Sequence, residues 1–595
     1  MTARSSFFAE LKRRNVLRAV VLYVGSVWAL AQGISQLSGP FGLANWVTRW
    51  FVIACSIGFP FWVVFAWFYE FTPQGFKRDN EIRQDAPVRH SNARMLDFAI
   101  IGVLAVVVVL LASGYFIHRT SAVRAGIAAP GAEAYNPPAN SLVVLPFQNL
   151  NDDPKQQYFS DGITEELTDA LGQNPALRVI AWDTASKLRH GTESIGDIGK
   201  ALDVAYLLQG SIEREGGQVR IIAELVDART GVQLWSQHYD DTFAKIFEVQ
   251  DRVSEAIAGA LKVRFAKADL PQGGTSNPRA HELVLKGRAL LEKFDTASLE
   301  AAQRDFEQAI ALDPDYAEAH ALLSRMLLSL TERSDLPLKT TLPKARAEAE
   351  RALALDRHNA DAWVALGSAD ASADPPDIAK ARADYRSALA LDPSNASAHI
   401  DYGMLLPIKQ ALAEEQEATL LDPANETAWN DFGVEAQDLG SWAQEIKAFE
   451  TLIKLDPADV DSAFGLAFAY QKSHQYEKMV EAFDLVKPST PLDLQQVAAG
   501  RLTYRALTDP ALHAQALAAL KSLTRHLSNQ DVSGNLLQLY LALGQAAPAL
   551  DLLESFCPAD PVGCNDLAIN PMYAALHGEP RFETLATKYT TATVQ

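Results

Sequence analysis

Cysteine is almost missing from this chain: three in 595 residues, too few for a disulfide framework. No Gly-x-Ser-x-Gly, phosphate loop or His-Glu-x-x-His occurs, so the common nucleophile, nucleotide and zinc signatures are missing too. No residue set reads as catalytic, and neither a cofactor nor a metal site is expected. Basic charge is scarce. The formal net charge is −20, and it is uneven: residues 1–117 hold 11 Lys+Arg against 6 Asp+Glu, and the remainder holds 42 against 67. Phosphate binding needs a basic face, so nucleic acid is not an expected partner. The length excludes a single core, and several domains are expected.

Apolar runs are present at one end. Residues 19–37, 50–71 and 98–117 each approach the roughly 20 residues a helix needs to cross a bilayer. The first is long for a signal peptide and lacks a small-x-small cleavage site. Trp46, Trp50, Trp67 and Tyr69 lie near span ends, where amphipathic rings favour the interface. Glu70 and Asp97 sit at span edges, within reach of water. Arg4, Lys12, Arg13, Arg14 and Arg18 precede the first run, and Lys77, Arg78, Arg83, Arg89 and Arg94 separate the second from the third. Basic loops stay cytoplasmic. The expectation is a three-span inner-membrane anchor over 1–117, N-terminus inside, with residues 118–595 in the periplasm of a bacterium.

The second half carries a ladder. Leu312-Asp313-Pro314, Leu391-Asp392-Pro393, Leu421-Asp422-Pro423 and Leu455-Asp456-Pro457 recur, with Leu355-Asp356-Arg357 as a variant. Each ends an alanine-rich apolar pattern. Proline lacks an N–H and pushes the residue before it out of the α region, so each Asp-Pro stops a helix. Small residues beyond the stops, in Ala362-Trp363 with Leu366-Gly367 and Ala428-Trp429 with Phe432-Gly433, let two helices approach closely. Helical hairpins repeated this way make a solenoid. The Asp spacings are 43, 36, 30 and 34. The long gap suggests a polar insertion loop at Thr331 to Pro343, and the short one a truncated hairpin between Gly403 and Asp422. Residues 428–457 resemble the tetratricopeptide repeat, through Trp429, Phe432, Gly433, Gly440, Trp442, Phe449 and Pro457. Glu445 departs from it, standing where a small alanine is usual. The tail, from Ile569-Asn-Pro-Met-Tyr573 to Gly578-Glu-Pro-Arg-Phe582, resembles the end cap of such arrays.

Between anchor and solenoid the pattern mixes strands and helices. A Pro- and Gly-rich linker, 118–140, precedes a domain over 141–265, and a second linker, 266–278, precedes the repeats of 279–595. Strands are expected at Ser141 to Phe147, Leu177 to Trp182, Tyr206 to Ile212, Val219 to Val226 and Val232 to Tyr239, with helices over Tyr158 to Gly172, Ile195 to Leu202 and Phe243 to Phe265. This is a small open α/β sheet. Val143-Val-Leu-Pro-Phe-Gln-Asn-Leu150, Tyr158-Phe-Ser-Asp-Gly-Ile-Thr-Glu-Glu166, Leu207-Leu-Gln-Gly-Ser-Ile212, Val226-Asp-Ala-Arg-Thr-Gly231, Leu234-Trp235-Ser236 and Phe247-Glu-Val-Gln-Asp251 resemble the TolB-like amino-terminal domain of bacterial envelope and signalling proteins. Phe7 to Val16 and Phe71 to Lys77 are similar to the membrane leaders of proteins that pair that domain with tetratricopeptide repeats. Such relatives often carry a cyclase or DNA-binding module, absent here.

Four acids, Asp161, Glu165, Glu166 and Asp169, share a helix. Paired carboxylates can do acid-base work or hold a cation. With no His or Gly-rich loop nearby, the expectation is instead an acid-favouring helix N-terminus and a solvated face. Cys557 and Cys564 enclose Pro-Ala-Asp-Pro-Val-Gly and can close a disulfide outside the cytoplasm; a metal site there lacks further ligands. Cys55 reads as an apolar filler. Asn430, Asp431 and Glu435 are the candidate groove contacts of the repeats. The functional expectation is a non-enzymatic, membrane-anchored scaffold that binds a protein or peptide partner. The alternative is a sensor that passes a periplasmic binding event to a cytoplasmic partner.

Overall fold

The computed structural model describes residues 135–589 apart from short stretches (152, 191–192, 264–273, 292, 294, 334–336, 527–533, 559–563 and 565), and before them only Val27, Cys55, Phe59, 69–72 and 75–78. It divides into two units, 1–134 and 135–595.

In the first unit, strands β1 (Tyr69–Thr72) and β2 (Gly75–Arg78) form an antiparallel hairpin. This corrects the expected anchor. The runs 19–37, 50–71 and 98–117 lie almost wholly outside the described residues, and Tyr69, Glu70 and Phe71, at the end of the second, are strand. Among the described residues no helix is long and apolar enough to cross a membrane. The three-span fold class, the multi-pass inner-membrane placement and the periplasmic location of 118–595 are therefore withdrawn. A hydropathy run reports apolar composition; it does not fix the conformation that buries it.

The second unit opens with a sheet, in spatial order β5-β3-β6-β7-β8, with β4 also paired to β6. The strands are β3 (Ser141–Val144), β4 (Gln148–Asn149), β5 (Arg178–Val179), β6 (Tyr206–Glu215), β7 (Gln218–Asp227) and β8 (Gln233–Thr242). β3 runs parallel to both neighbours, whereas β6, β7 and β8 form an antiparallel meander. Gly216 turns the first of these hairpins at φ +61°, a conformation that costs glycine nothing. Every residue of β3 is buried, because helices cover both faces. Leu142 and Val144 join the core under α1 (Gln157–Gly172) and α4 (Ile246–Leu261), and Val143 joins the one under α2 (Trp182–Ser186) and α3 (Ile195–Leu202). The strand expected through Trp182 is only two residues long, since Trp182 already begins α2.

Helical hairpins follow. They pair α5 (Pro278–Leu291) with α6 (Thr296–Leu312), α7 (Ala317–Arg333) with α8 (Leu338–Leu355), and α9 (Ala360–Ala371) with α10 (Ile378–Leu391). Next come α11 (Ala396–Gly403) with α12 (Ile408–Leu421), α13 (Glu426–Asp438) with α14 (Trp442–Leu455), and α15 (Asp461–Lys472) with α16 (Lys478–Leu485). Looser helices complete the array: α17 (Pro491–Thr508), α18 (His513–His526), α19 (Gly534–Ala542), α20 (Ala546–Phe556) and α21 (Pro580–Tyr589). The array is built of tetratricopeptide-like repeats.

The ladder explains the punctuation. Each Asp is extended: Asp313 has φ −143° and Asp456 φ −127°. In four of the five the carboxylate accepts the N–H two residues on, at 2.9 Å for Asp356 and His358 and 3.0 Å for Asp392 and Ser394; at Asp422 that N–H, on Ala424, turns to Thr184 instead. Asn359, Asn395 and Asn425 then cap the next helices. Seven residues after four of the five Asp residues a ring nitrogen donates to the turn carbonyl: His320 to Pro314 (3.1 Å), Trp363 to Arg357 (3.1 Å), His399 to Pro393 (3.2 Å) and Trp429 to Pro423 (2.9 Å); after Asp456 that place is taken by Ala463. Turn and cap form one hydrogen-bonded unit, satisfying the polar ends of both helices.

Two expectations about spacing shift. Thr331 to Arg333 belong to α7 and Leu338 to Pro343 to α8, so most of the expected insertion loop is helix, with Pro343 inside α8. In the shortened repeat it is the first helix, α11, that is cut to 8 residues, whereas α12 is full length.

Candidate functional site

The α/β domain is seated on the ladder edge of the array. Edge strand β5 and the turn after it meet two of the Asp turns. Val179 N–H donates to Ser394 Oγ (3.2 Å), Arg178 Nη2 to the Leu420 carbonyl (2.9 Å) and Ala181 N–H to the Leu421 carbonyl (2.8 Å). Thr184 Oγ1 donates to Asp422 Oδ1 (2.6 Å) and accepts from Ala424 N–H (2.8 Å). Thr275, just ahead of α5, donates to Asp313. An otherwise open sheet edge is thus covered.

The four acids of α1 are where the two parts lock. The solvated face expected for them is instead largely buried against the array. Glu166 accepts from Gln250 (2.5 Å) and pairs with His281 Nε2 (2.7 Å), whose ring stacks on Phe243 and lies 4.5 Å from Phe247. Burial alone would raise the Glu166 carboxyl, but His281, Arg288 and Gln250 together hold it below the usual range. Arg288, 7% exposed, reaches Glu165 (2.6 Å), Asp169 (3.3 Å) and Glu318 (2.6 Å). Asp161 pairs with Arg189 at 2.5 Å. Leu285 of α5 belongs to the sheet's own core, and Gly162 leaves room for it. Beside this lock lies a cleft of about 380 Å³, lined by Asp169, Gln173, Lys245, Asp361 and Asp392 among others. Burial, with Asp361 adding, pushes Asp392 up to about 7. Among the described residues no group of three His, Cys, Asp or Glu could hold a metal ion.

The groove candidates lie on α13. Asn430 is exposed and donates to Asp431 at 3.2 Å. Asp431 and Glu435 are half-buried, with Asp438 one turn further along the helix. The chain's own C-terminal turn rests here. Gln437 donates to Asn570 (3.3 Å) and Lys472 to the Pro571 carbonyl (3.4 Å), while Asn570 holds Asp566 (2.6 Å). The structure thus brings Asp431 and Glu435 into one acidic patch and leaves Asn430 at its rim. Sequence reasoning missed Asp438, Glu415 and Asp566, which belong to the same patch. Their signal was faint: Asp438 and Glu415 are acids on helices, and Asp566 lies in a turn. Cys557 and Cys564 are bonded, with Cα atoms 5.6 Å apart, and both are buried beneath the cap. Cys55 is not part of a disulfide.

The second unit thus seats an α/β sheet on tetratricopeptide-like hairpins. No family model matches the chain. A Rhizobium meliloti protein described as "Putative adenylate cyclase 3" is 35% identical over 199 residues, 33% of this chain. This chain spans about a third (34%) of that relative's length. Solved structures with likeness include YrrB, a tetratricopeptide protein with an unusual peptide-binding site, at 23% identity and TM-score 0.25, covering 30% of this chain and 89% of that one. A tetratricopeptide protein from Parabacteroides merdae has 17% identity and TM-score 0.27, with 44% and 100% covered. The pilF protein of Pseudomonas aeruginosa has 21% identity and TM-score 0.27, with 36% and 93% covered.

Proposed function

We propose that this chain is a non-enzymatic protein–protein interaction scaffold, in which a TolB-like α/β domain is fixed to the ladder edge of the repeats and the α13 face receives a peptide or protein partner. The observation that carries this reading is the α13 patch. Glu435 and Asp438 hold buried oxygens without hydrogen-bond partners, and no ion pair reaches either among the described residues. Hairpin arrays present such a face on successive first helices. The TolB-like part of the reading rests on the motifs from Val143 to Asp251. A second reading is a signalling role, in which the binding state is relayed to a separate chain. The likeness to the cyclase relative over 199 residues favours it, while that protein's activity remains its own.

Photo-crosslinking in cells tests the reading. A crosslinker at Asn430 is expected to capture a discrete polypeptide, and one at Lys454, exposed on α14, is not. Equal capture from both positions, or none from Asn430, contradicts it. Turnover of a nucleoside triphosphate by the purified chain would contradict the non-enzymatic part.

A further inference from the structure

Glu445 stands where the tetratricopeptide resemblance calls for a small residue. It is 0% exposed, and neither carboxylate oxygen has a hydrogen-bond partner. The shortened repeat holds a second such case. Gly367 and Gly433 each face an aromatic ring of their partner helix, Tyr385 and Phe449, whereas Gly403 faces the carboxylate of Glu415. Glu415 is 1% exposed, with Oε2 unpartnered. Glu435, Asp438 and Asp566 add one buried, unpartnered oxygen each.

These side chains feel one another. Asp431 and Glu435 act on Glu415, Asp566 on Glu435 and Asp438, and Asp438 on Glu445. They form one seam along α12, α13 and α14, closed by the C-terminal turn. Burial is the largest cause everywhere. It pushes Glu435 up to about 7, Asp438 to about 8, and Glu415 and Glu445 to about 9. The charge of Lys472 opposes this at Glu445, and its ammonium donates to the Pro571 carbonyl.

Unpartnered buried carboxyls weaken a fold. A ring or a small side chain fills the same positions in neighbouring hairpins, so packing does not demand them. Strain of this kind collects at functional sites. The missing component is positive charge. Because no ligand group for a metal ion is assembled among the described residues, an ammonium or guanidinium fits better than a metal.

We propose that this seam docks lysine or arginine side chains of a basic polypeptide segment, which pair with Glu435 and Asp438 while Glu415 and Glu445 form the deeper acidic wall. The proposal rests on the scaffold reading and names the chemistry of its partner. Three labelled peptides of equal length test it on the full chain by fluorescence anisotropy: one rich in lysine and arginine, one rich in glutamate, one apolar and uncharged. The basic peptide alone is expected to bind, more weakly as salt rises. The double variant E435Q/D438N is expected to lose at least about tenfold in affinity while melting no lower than the parent, since neutral amides relieve repulsion. E445Q provides a second check, with a smaller loss. Unchanged affinity in E435Q/D438N, with or without a higher melting temperature, overturns the proposal, as does failure of the basic peptide to bind. Binding of the glutamate-rich or apolar peptide instead overturns it but leaves the scaffold reading standing; loss of crosslinking at Asn430 removes that reading separately.

Discussion

One aspartate can serve both a turn and an interface. Asp422 closes its own Asp-Pro turn and accepts from Thr184 of the α/β domain, and it is 2% exposed. Thr184→Val removes that donor and the acceptor of Ala424 N–H, which is expected to cost about 1–3 kcal/mol, read as a lower melting temperature. Arg288→Met is expected to cost more, about 3–5 kcal/mol, because Glu165, Asp169 and Glu318 lose a shared cation. Glu445→Ala runs the other way. It removes a buried carboxyl with no partner and is expected to stabilise by about 1–3 kcal/mol in thermal melts; a fall in melting temperature would mean that the side chain has a structural role. Much of this residue-level detail was legible only in part. The tetratricopeptide resemblance marked Glu445 as out of place, but its isolation depends on α13 and α15 closing over it.

At the scale of elements, the ladder was readable because its chemistry is local. Asp, Pro and Asn within four residues supply turn, stop and cap without help from elsewhere. Gap lengths were less informative, since added residues can extend helices, as in α7 and α8, as readily as they form loops. The seating of α1 on α5 depends on Gly162, where a Cβ would lie 2.6 Å from Leu285 Cδ2. Gly162→Val is therefore expected to wedge the two helices apart at a cost of about 1–3 kcal/mol, again measured by melting; an unchanged melt would show that the contact is loose. Nothing in α1 alone announced this. Its acids suit an exposed helix N-terminus equally well until Arg288 and His281, more than 110 positions away, are brought to them.

For the whole molecule, pH provides the test. Glu415 and Glu445 have an ordinary value of 4.5 and sit at about 9 in the fold, with Glu435 and Asp392 at about 7 and Asp438 at about 8. Their folded values are raised, so the stability they contribute is full below the unfolded value and is lost as pH rises through the folded one. Glu166, Glu282 and Asp370 are lowered and act oppositely, but only below about pH 5, where they begin to protonate. Between about pH 5 and 9 the melting temperature is expected to fall; a rise over that window would show that the raised groups are already paired. The docking of sheet on ladder was invisible in the sequence, because its hydrogen bonds join residues 215–242 positions apart. The apolar leader shows the converse failure: strong local composition supported an anchor that no described helix supplies.

The central claim is that a partner binds the α13 face. Hydrogen–deuterium exchange on the full chain, alone and with the polypeptide captured at Asn430, tests it most directly. The account predicts slowed exchange in α13 and α15, residues 426–438 and 461–472, with the exposed edge strand β8 unchanged. Slowed exchange confined to β8 at 233–242, with α13 unaffected, would place the partner on the sheet edge and contradict the account.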